Sequence, residues 1–205
     1  QQQDAAAEGS AFTLTLGDIA PEKTLEDVKN ELFPDVLSSY SSPHVVNANR
    51  TNNLDLACKA INNTILNPGD VFSFNGIVGE RTADKGYKSA IVYVSGNSES
   101  QLGGGVCQVS STIYMCTLLA NLEQVERTEH MFAVTYVPMG MDATVYFGLS
   151  DFRFKNNTDY PVKIVTESYD KNGLRYLTVK LYGTNVDGRY AVPERTQFDF
   201  VSPTT

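Results

Sequence analysis

Hydrophobic and polar positions recur with two different periods along this chain, and the change of period divides it. Apolar alternation predicts a short strand over 11–16, and a Pro21-led helix follows over 22–33, with Pro34 as its breaker. The segment 41–50 is polar and extended, and Asn52 or Asn53 is the expected N-cap of a helix whose apolar face is Leu54, Cys58, Ile61 and Ile65. Asn67-Pro68-Gly69 is its expected end. Strands are predicted over 71–74 and 90–94, and the Ser- and Gly-rich stretch 95–105 reads as a loop. Val109, Ile113, Cys116 and Ala120 then recur at spacings of three and four, predicting a helix from near Cys107 to about Leu122. Cys107 lies nearly opposite that stripe, on the side of Ser111, Tyr114 and Leu118.

From His130 onward the period becomes two. Phe132, Val134 and Tyr136 alternate with their neighbours, Pro138-Met139-Gly140 turns the chain, and strands follow over 143–149, 152–155, 162–168 and 176–182. Asn156-Asn157 and Asn172-Gly173 supply turns between them. The succession of helix, strands, helix and antiparallel strands predicts an α+β fold, an antiparallel sheet packed on two helices.

Composition narrows the possibilities. A chain of 205 residues, 41% hydrophobic and 20% charged, can bury a full core. No stretch approaches the roughly 20 apolar residues of a membrane span. A formal charge of -8 argues against a nucleic-acid partner, which calls for an excess of Lys and Arg. Residues 1–10 carry neither a charged nor an apolar targeting segment. Three cysteines, an odd count, fit a reducing compartment and a secreted chain with one free thiol equally. The elements before residue 40 are too short to enclose a core, so 1–40 reads as the end of a preceding domain or an N-terminal arm.

Chemistry concentrates at Cys107. A helix N-terminus lowers a thiol's pKa through its unpaired N–H groups and dipole, and those same groups can form an oxyanion hole. Gly103, Gly104 and Gly105 precede it and permit close approach of backbone to a substrate. Cys58 and Cys116 sit on apolar stripes and read as small buried hydrophobes, with a disulfide between them as the alternative. Of the two histidines, His44 reads as a solvated loop residue. His130 follows the Cys107 helix in the order used by papain-like enzymes, Cys on a helix start and His on a strand, and is the candidate base. A regular hairpin about Gly140 would bring Asp151 close to His130 and leave Asp142 some ~20 Å along the ribbon. A bulge or a broken strand would reverse that choice, and a backbone carbonyl is the remaining candidate. The sequence contains no zinc spacing, phosphate-binding loop or dinucleotide fingerprint, so neither a metal nor a cofactor is expected.

Several segments in order, Asn49-Arg50-Thr51-Asn52-Asn53-Leu54, Pro68-Gly69-Asp70-Val71-Phe72-Ser73-Phe74-Asn75, Gly86-Tyr87, Gly103-Gly104-Gly105-Val106-Cys107-Gln108-Val109-Ser110, Glu126-Arg127 with His130, and Gly140-Met141-Asp142-Ala143-Thr144-Val145, resemble the VanW family. Asp151-Phe152 and Asn156 extend the match, which spans about 41–183 and leaves 184–205 as a linker or the start of a following domain. The resemblance implies an exported protein of the Gram-positive cell envelope, met in vancomycin-resistance operons. Any membrane attachment would lie in a segment outside this sequence. It further implies a cysteine L,D-transpeptidase that joins peptidoglycan stem peptides by 3-3 cross-links, with Cys107 as nucleophile and His130 as base. Gln108, Ser110 and Ser111 are then candidate donors to the acyl group, and Arg81 and Arg127 candidate carboxylate clamps. The sequence lacks the Ser-His-Gly-x-Cys-like arrangement of the standard L,D-transpeptidases. A papain-like peptidoglycan endopeptidase or amidase, and a non-catalytic module that binds stem peptides, are the competing readings.

Overall fold

The longest strand begins within the stretch read as flanking sequence. In the computed structural model, which describes Thr24, Val28 and residues 32–94 and 97–196, strand β1 (Asp35–Val45) pairs antiparallel with β9 (Leu174–Gly183), Tyr40 opposite Val179. The strand expected over 11–16 and most of the helix expected over 22–33 lie outside the described residues. Next to β9 runs β8 (Val162–Lys171), joined to it through Asn172 and Gly173 at φ 53° and 76°, the left-handed pair that a tight hairpin requires. Strand β2 (Thr64–Leu66) completes a four-stranded sheet in the order β1-β9-β8-β2. Leu177, Val179, Leu181, Val162 and Ile164 bury one face of it completely.

Helix α1 (Ala48–Ile61) presents Leu54, Ala57, Cys58 and Ile61 to the core. Its N-cap is Asn47, whose side chain accepts from the Arg50 N–H at 3.1 Å, so Asn52 and Asn53 lie inside the helix rather than capping it. The helix stops at Ile61 because Asn63 takes φ 64°, and Ile65, fourth in the expected stripe, points outward from β2. Asn67-Pro68-Gly69 instead turns the chain between β2 and β3 (Val71–Ser73). A one-turn helix, α2 (Phe74–Val78), follows β3. β3 joins β7 (Arg153–Lys155) and β6 (Glu123–Glu126) in a second antiparallel sheet, where Phe72 stacks on Phe154 with 4.9 Å between centroids. The stretch read as a loop holds β5 (Asn97–Leu102), a hairpin partner of β4 (Ser89–Val94). All pairings are antiparallel, and the fold is α+β as expected.

Helix α3 (Cys107–Leu119) is buried nearly all round. Val109, Ile113 and Cys116 form the expected core stripe, but Ser110, Ser111, Thr112 and Thr117 are also fully buried. Small hydroxyl side chains let neighbouring backbone approach closely while they pair their own polar atoms. Ser42 of β1, for example, meets Thr112 at 2.7 Å between hydroxyl oxygens.

The hairpin expected over 131–149 does not form. Residues 127–150 hold only isolated bridges, Thr128 to Thr144 and Tyr146 to Ser150. Side chains have taken the backbone groups a ladder would use. The Asp142 carboxylate accepts from the His130 N–H at 2.7 Å, and Ser111 Oγ accepts from the Ala143 N–H at 3.0 Å. Arg127 donates to the carbonyls of Asp142 and Gly140 at 2.7 and 3.1 Å.

Candidate active site

Cys107 is the first residue of α3, entered through a tight turn over 103–106. Gly103 and Gly105 occupy the left-handed region at φ 74° and 103°. Gly104 is required for a different reason, since a Cβ there would lie 2.4 Å from the Ala90 carbonyl oxygen. Asn53, fully buried on α1, ties the turn down: its amide donates to the carbonyls of Lys88 and Gly104 at 2.8 and 3.1 Å and accepts from the Lys88 N–H at 2.8 Å. The glycines, Gly104 and Gly105 included, therefore seat the start of α3 against α1 and β4 rather than opening the backbone to a ligand.

The irregular segment 127–150 wraps over this helix start. The Cys107 thiol, half-buried, donates to the Val145 carbonyl at 3.5 Å, and the His130 imidazole is within hydrogen-bonding reach of the sulfur. Nδ1 of His130 is 2.6 Å from Asp142 Oδ2, which leaves Nε2 for the sulfur. Asp142 is buried, and Arg127 reaches its Oδ1 at 3.3 Å while resting over the Tyr114 ring.

The electrostatics follow from this geometry. Burial alone would push the Cys107 thiol up, but the hydrogen bond with His130, a backbone hydrogen bond at Val145 and the charges of His130 and Arg81 outweigh it and hold the pKa below the usual thiol value. Burial disfavours a charged His130, yet the Cys107 and Asp142 interactions raise its pKa above that of a free imidazole. Asp142 is held below the usual carboxylate value: burial opposes this, but hydrogen bonds from His130 and the charges of His130 and Arg127 prevail. A lowered thiol and a raised imidazole both move the pair toward thiolate and imidazolium.

Other expected site residues lie elsewhere or are already committed. Asp151 is not the orienting carboxylate: it accepts from the Asn75 N–H at 2.8 Å and from the Ser73 hydroxyl, fastening the start of α2. With no hairpin ladder, the register that favoured it does not exist. Gln108 is fully buried, donating to Ser42 and Pro43 of β1 and accepting from Arg50 at 2.7 Å, so it faces away from any acyl group. Ser110 and Ser111 both donate to the Ala143 carbonyl, at 2.7 and 3.3 Å. Arg127 supports Asp142 and is no free clamp. Arg81 does approach Cys107: it donates to Asn75 and Gly79, stacks over Phe74, and its buried Nη2 has no partner among the described residues. His44 is buried on β1, 3.3 Å from Thr51 Oγ1, and not solvated. Cys58 and Cys116 are free thiols in the core, pushed up to about 12 chiefly by burial, and are not joined.

Periodicity missed one residue at the site. Tyr136, read as a strand residue, reaches back so that its hydroxyl is 3.5 Å from His130 Nε2, ring edge to ring face. Its place six residues after His130 offers no sequence signal, because the intervening chain has no regular repeat. A groove of about 220 Å³ opens alongside, lined by His130, Phe132, Val134, Met139 and Asp142 among others. Among the described residues no cluster of three or more His, Cys, Asp or Glu is arranged for a metal, and no helix is long and apolar enough to cross a membrane.

Comparison with known proteins adds lineage to this geometry. The chain is 43% identical over 140 residues to the uncharacterized protein YoaR of Bacillus subtilis strain 168, covering 68% of this chain and 45% of that protein. It is 30% identical over 166 residues to the vancomycin B-type resistance protein VanW of Enterococcus faecalis, covering 77% of this chain and 58% of that one. The chain thus spans about half the length of these curated relatives. No solved structure matches. The profile of the family described as VanW like protein matches residues 49–182, which takes in Cys107, His130, Asp142 and the helix and strands that seat them, and on that match the chain belongs to the VanW family.

Proposed function

We propose that Cys107, His130 and Asp142 form a cysteine acyl-transfer site acting on peptidoglycan stem peptides, an L,D-transpeptidase of the cell envelope. The observation that carries this reading is the relay at the start of α3: a thiol on the first helical residue, an imidazole against it, and a buried carboxylate 2.6 Å from the imidazole's far nitrogen. A structural cysteine needs no such arrangement.

The Cys107 thiolate attacks the carbonyl carbon of the third stem residue. A C–S bond forms, and the carbonyl π pair moves onto oxygen. Collapse restores the carbonyl and breaks the bond to the terminal D-alanine, whose nitrogen takes the proton from His130 Nε2. The neutral imidazole then accepts a proton from the amine of a second stem as that amine attacks the thioester, which regenerates the thiolate–imidazolium pair. Asp142 holds the ring so that Nε2 faces the sulfur throughout. Arg81, whose Nη2 has no partner among the described residues, is the group we assign to the terminal carboxylate of the donor stem.

The test is intact-protein mass spectrometry with a disaccharide-tetrapeptide muropeptide, followed by product analysis. The expected result is a Cys107 thioester lighter than the sum of its parts by one D-alanine, cross-linked dimers as product, and neither with Cys107→Ala. Shortened stems without dimers would replace transfer by hydrolysis. No adduct in the parent protein would overturn the reading.

A further inference from the structure

We propose that the Tyr136 hydroxyl is a catalytic group, donating a hydrogen bond to the oxyanion that forms when Cys107 attacks a carbonyl and acting together with the main-chain N–H of Cys107. The proposal rests on the acyl-transfer reading and gives that site its oxyanion hole.

A tetrahedral oxyanion needs donors that are not already engaged. The side chains nearest in sequence do not qualify. Both ends of the Gln108 amide are taken up by Arg50, Ser42 and Pro43. Ser110 and Ser111 give their hydroxyl protons to the Ala143 carbonyl. Asn53 is spent on Lys88 and Gly104. The Cys107 N–H, in contrast, has no partner among the described residues, as expected of a first helical residue.

Tyr136 supplies the second donor. Its hydroxyl stands 3.5 Å from His130 Nε2, the nitrogen that serves the sulfur, and lies close enough to Cys107 to feel its charge. Rotation about the C–O bond alone can turn the tyrosine proton toward a nascent oxyanion. Burial first, and the negative charge of Cys107 second, push the phenol pKa up, so the group stays protonated and serves as a donor at every working pH. The edge-on ring contact with His130, 6.4 Å between centroids, fixes where the hydroxyl lies. No proton leaves Tyr136 in the cycle: it stabilises charge, and His130 does the proton transfer.

This assignment separates two reactions of the same thiol. Alkylation by iodoacetamide displaces iodide at a saturated carbon and forms no oxyanion, whereas acylation by p-nitrophenyl acetate passes through one. In the full chain, Tyr136→Phe is expected to slow acylation of Cys107 by p-nitrophenyl acetate about 10²-fold, the usual effect of losing one oxyanion donor. Alkylation should stay within about twofold of the parent, which also reports that the site is intact. Acylation by the muropeptide should fall with that by the small ester. Equal acylation rates in parent and variant, while the parent forms the stem thioester, would overturn the role of Tyr136 and leave acyl transfer standing. Alkylation and acylation falling by one common factor would also overturn it, by showing that Tyr136 acts through the thiolate. A parent whose Cys107 alkylates but is acylated by neither donor would overturn the acyl-transfer reading and this proposal together.

Discussion

His130 is held between two anionic partners, the Cys107 sulfur and the Asp142 carboxylate, and each raises its pKa against the pull of burial. The consequence for reactivity has a definite sign. Cys107 is an acid with a depressed pKa, so its thiolate appears at lower pH than that of a free thiol near 8.5. Alkylation by iodoacetamide should therefore rise, and reach its plateau, at lower pH than for a free thiol. With His130→Ala the hydrogen bond and positive charge disappear while burial remains, so the profile should shift to higher pH and the rate at pH 7 should fall several-fold. An unchanged profile would separate His130 from Cys107. The two aspartates should part company in the same assay. Asp142→Asn removes a charge that favours the imidazolium, so the alkaline limb of acylation should move to lower pH. Asp151→Ala should leave the limb where it is and lower the melting temperature, at a cost of about 1–3 kcal/mol for the unpaired Asn75 N–H and Ser73 hydroxyl.

Among the elements, the turn into α3 determines whether the cysteine is presented at all. Asn53 and Gly104 lie 51 positions apart yet form one joint, the amide of one on the carbonyl of the other. Gly104→Ala places a Cβ against the Ala90 carbonyl, and only movement of the main chain can relieve it. A loss of about 1–3 kcal/mol, the usual cost of overpacking, is expected in chemical denaturation, together with slower alkylation of Cys107. Gly140→Ala is the control: a Cβ there meets nothing within 4 Å and suffers only from φ 81°. Equal effects of the two substitutions on Cys107 would show that the joint does not govern it. The core stripe of α3 and the β8–β9 hairpin were legible in sequence, because each depends on a local repeat or turn. The segment 131–149 was not, since its alternating side chains suggest a ladder whose backbone groups are in fact bonded to Asp142, Ser111 and Arg127.

In the whole molecule, β1 joins the sheet to the site. It lies along β9 over ten paired positions, and through Ser42 and Pro43 it holds Gln108, the neighbour of Cys107. The family match begins at residue 49, after this strand ends. Removing residues 1–46 should therefore abolish cooperative thermal unfolding, because it strips the edge of the sheet and leaves the buried Gln108 Nε2 without its acceptors on β1. Removing residues 1–33 should leave a cooperative transition. A sharp melt for the shorter chain would show that the sheet closes without β1.

The sequence by itself determined the α+β class, the core stripe of α3 and the position of Cys107 outside that stripe, and it named His130 as the candidate partner. These are carried by local periodicity, helix-start chemistry and a small choice of histidines. Only the tertiary structure decided that Asp142 rather than Asp151 meets the imidazole, that Gln108, Ser110 and Ser111 are spent on holding backbone, and that the Tyr136 hydroxyl reaches His130 Nε2. Those outcomes depend on side chains bonding to backbone across irregular chain, from Ser42 to Gln108 or Ser111 to Ala143. Such bonds have no repeat along the sequence; they exist only once packing has brought the partners within 3 Å or so of each other.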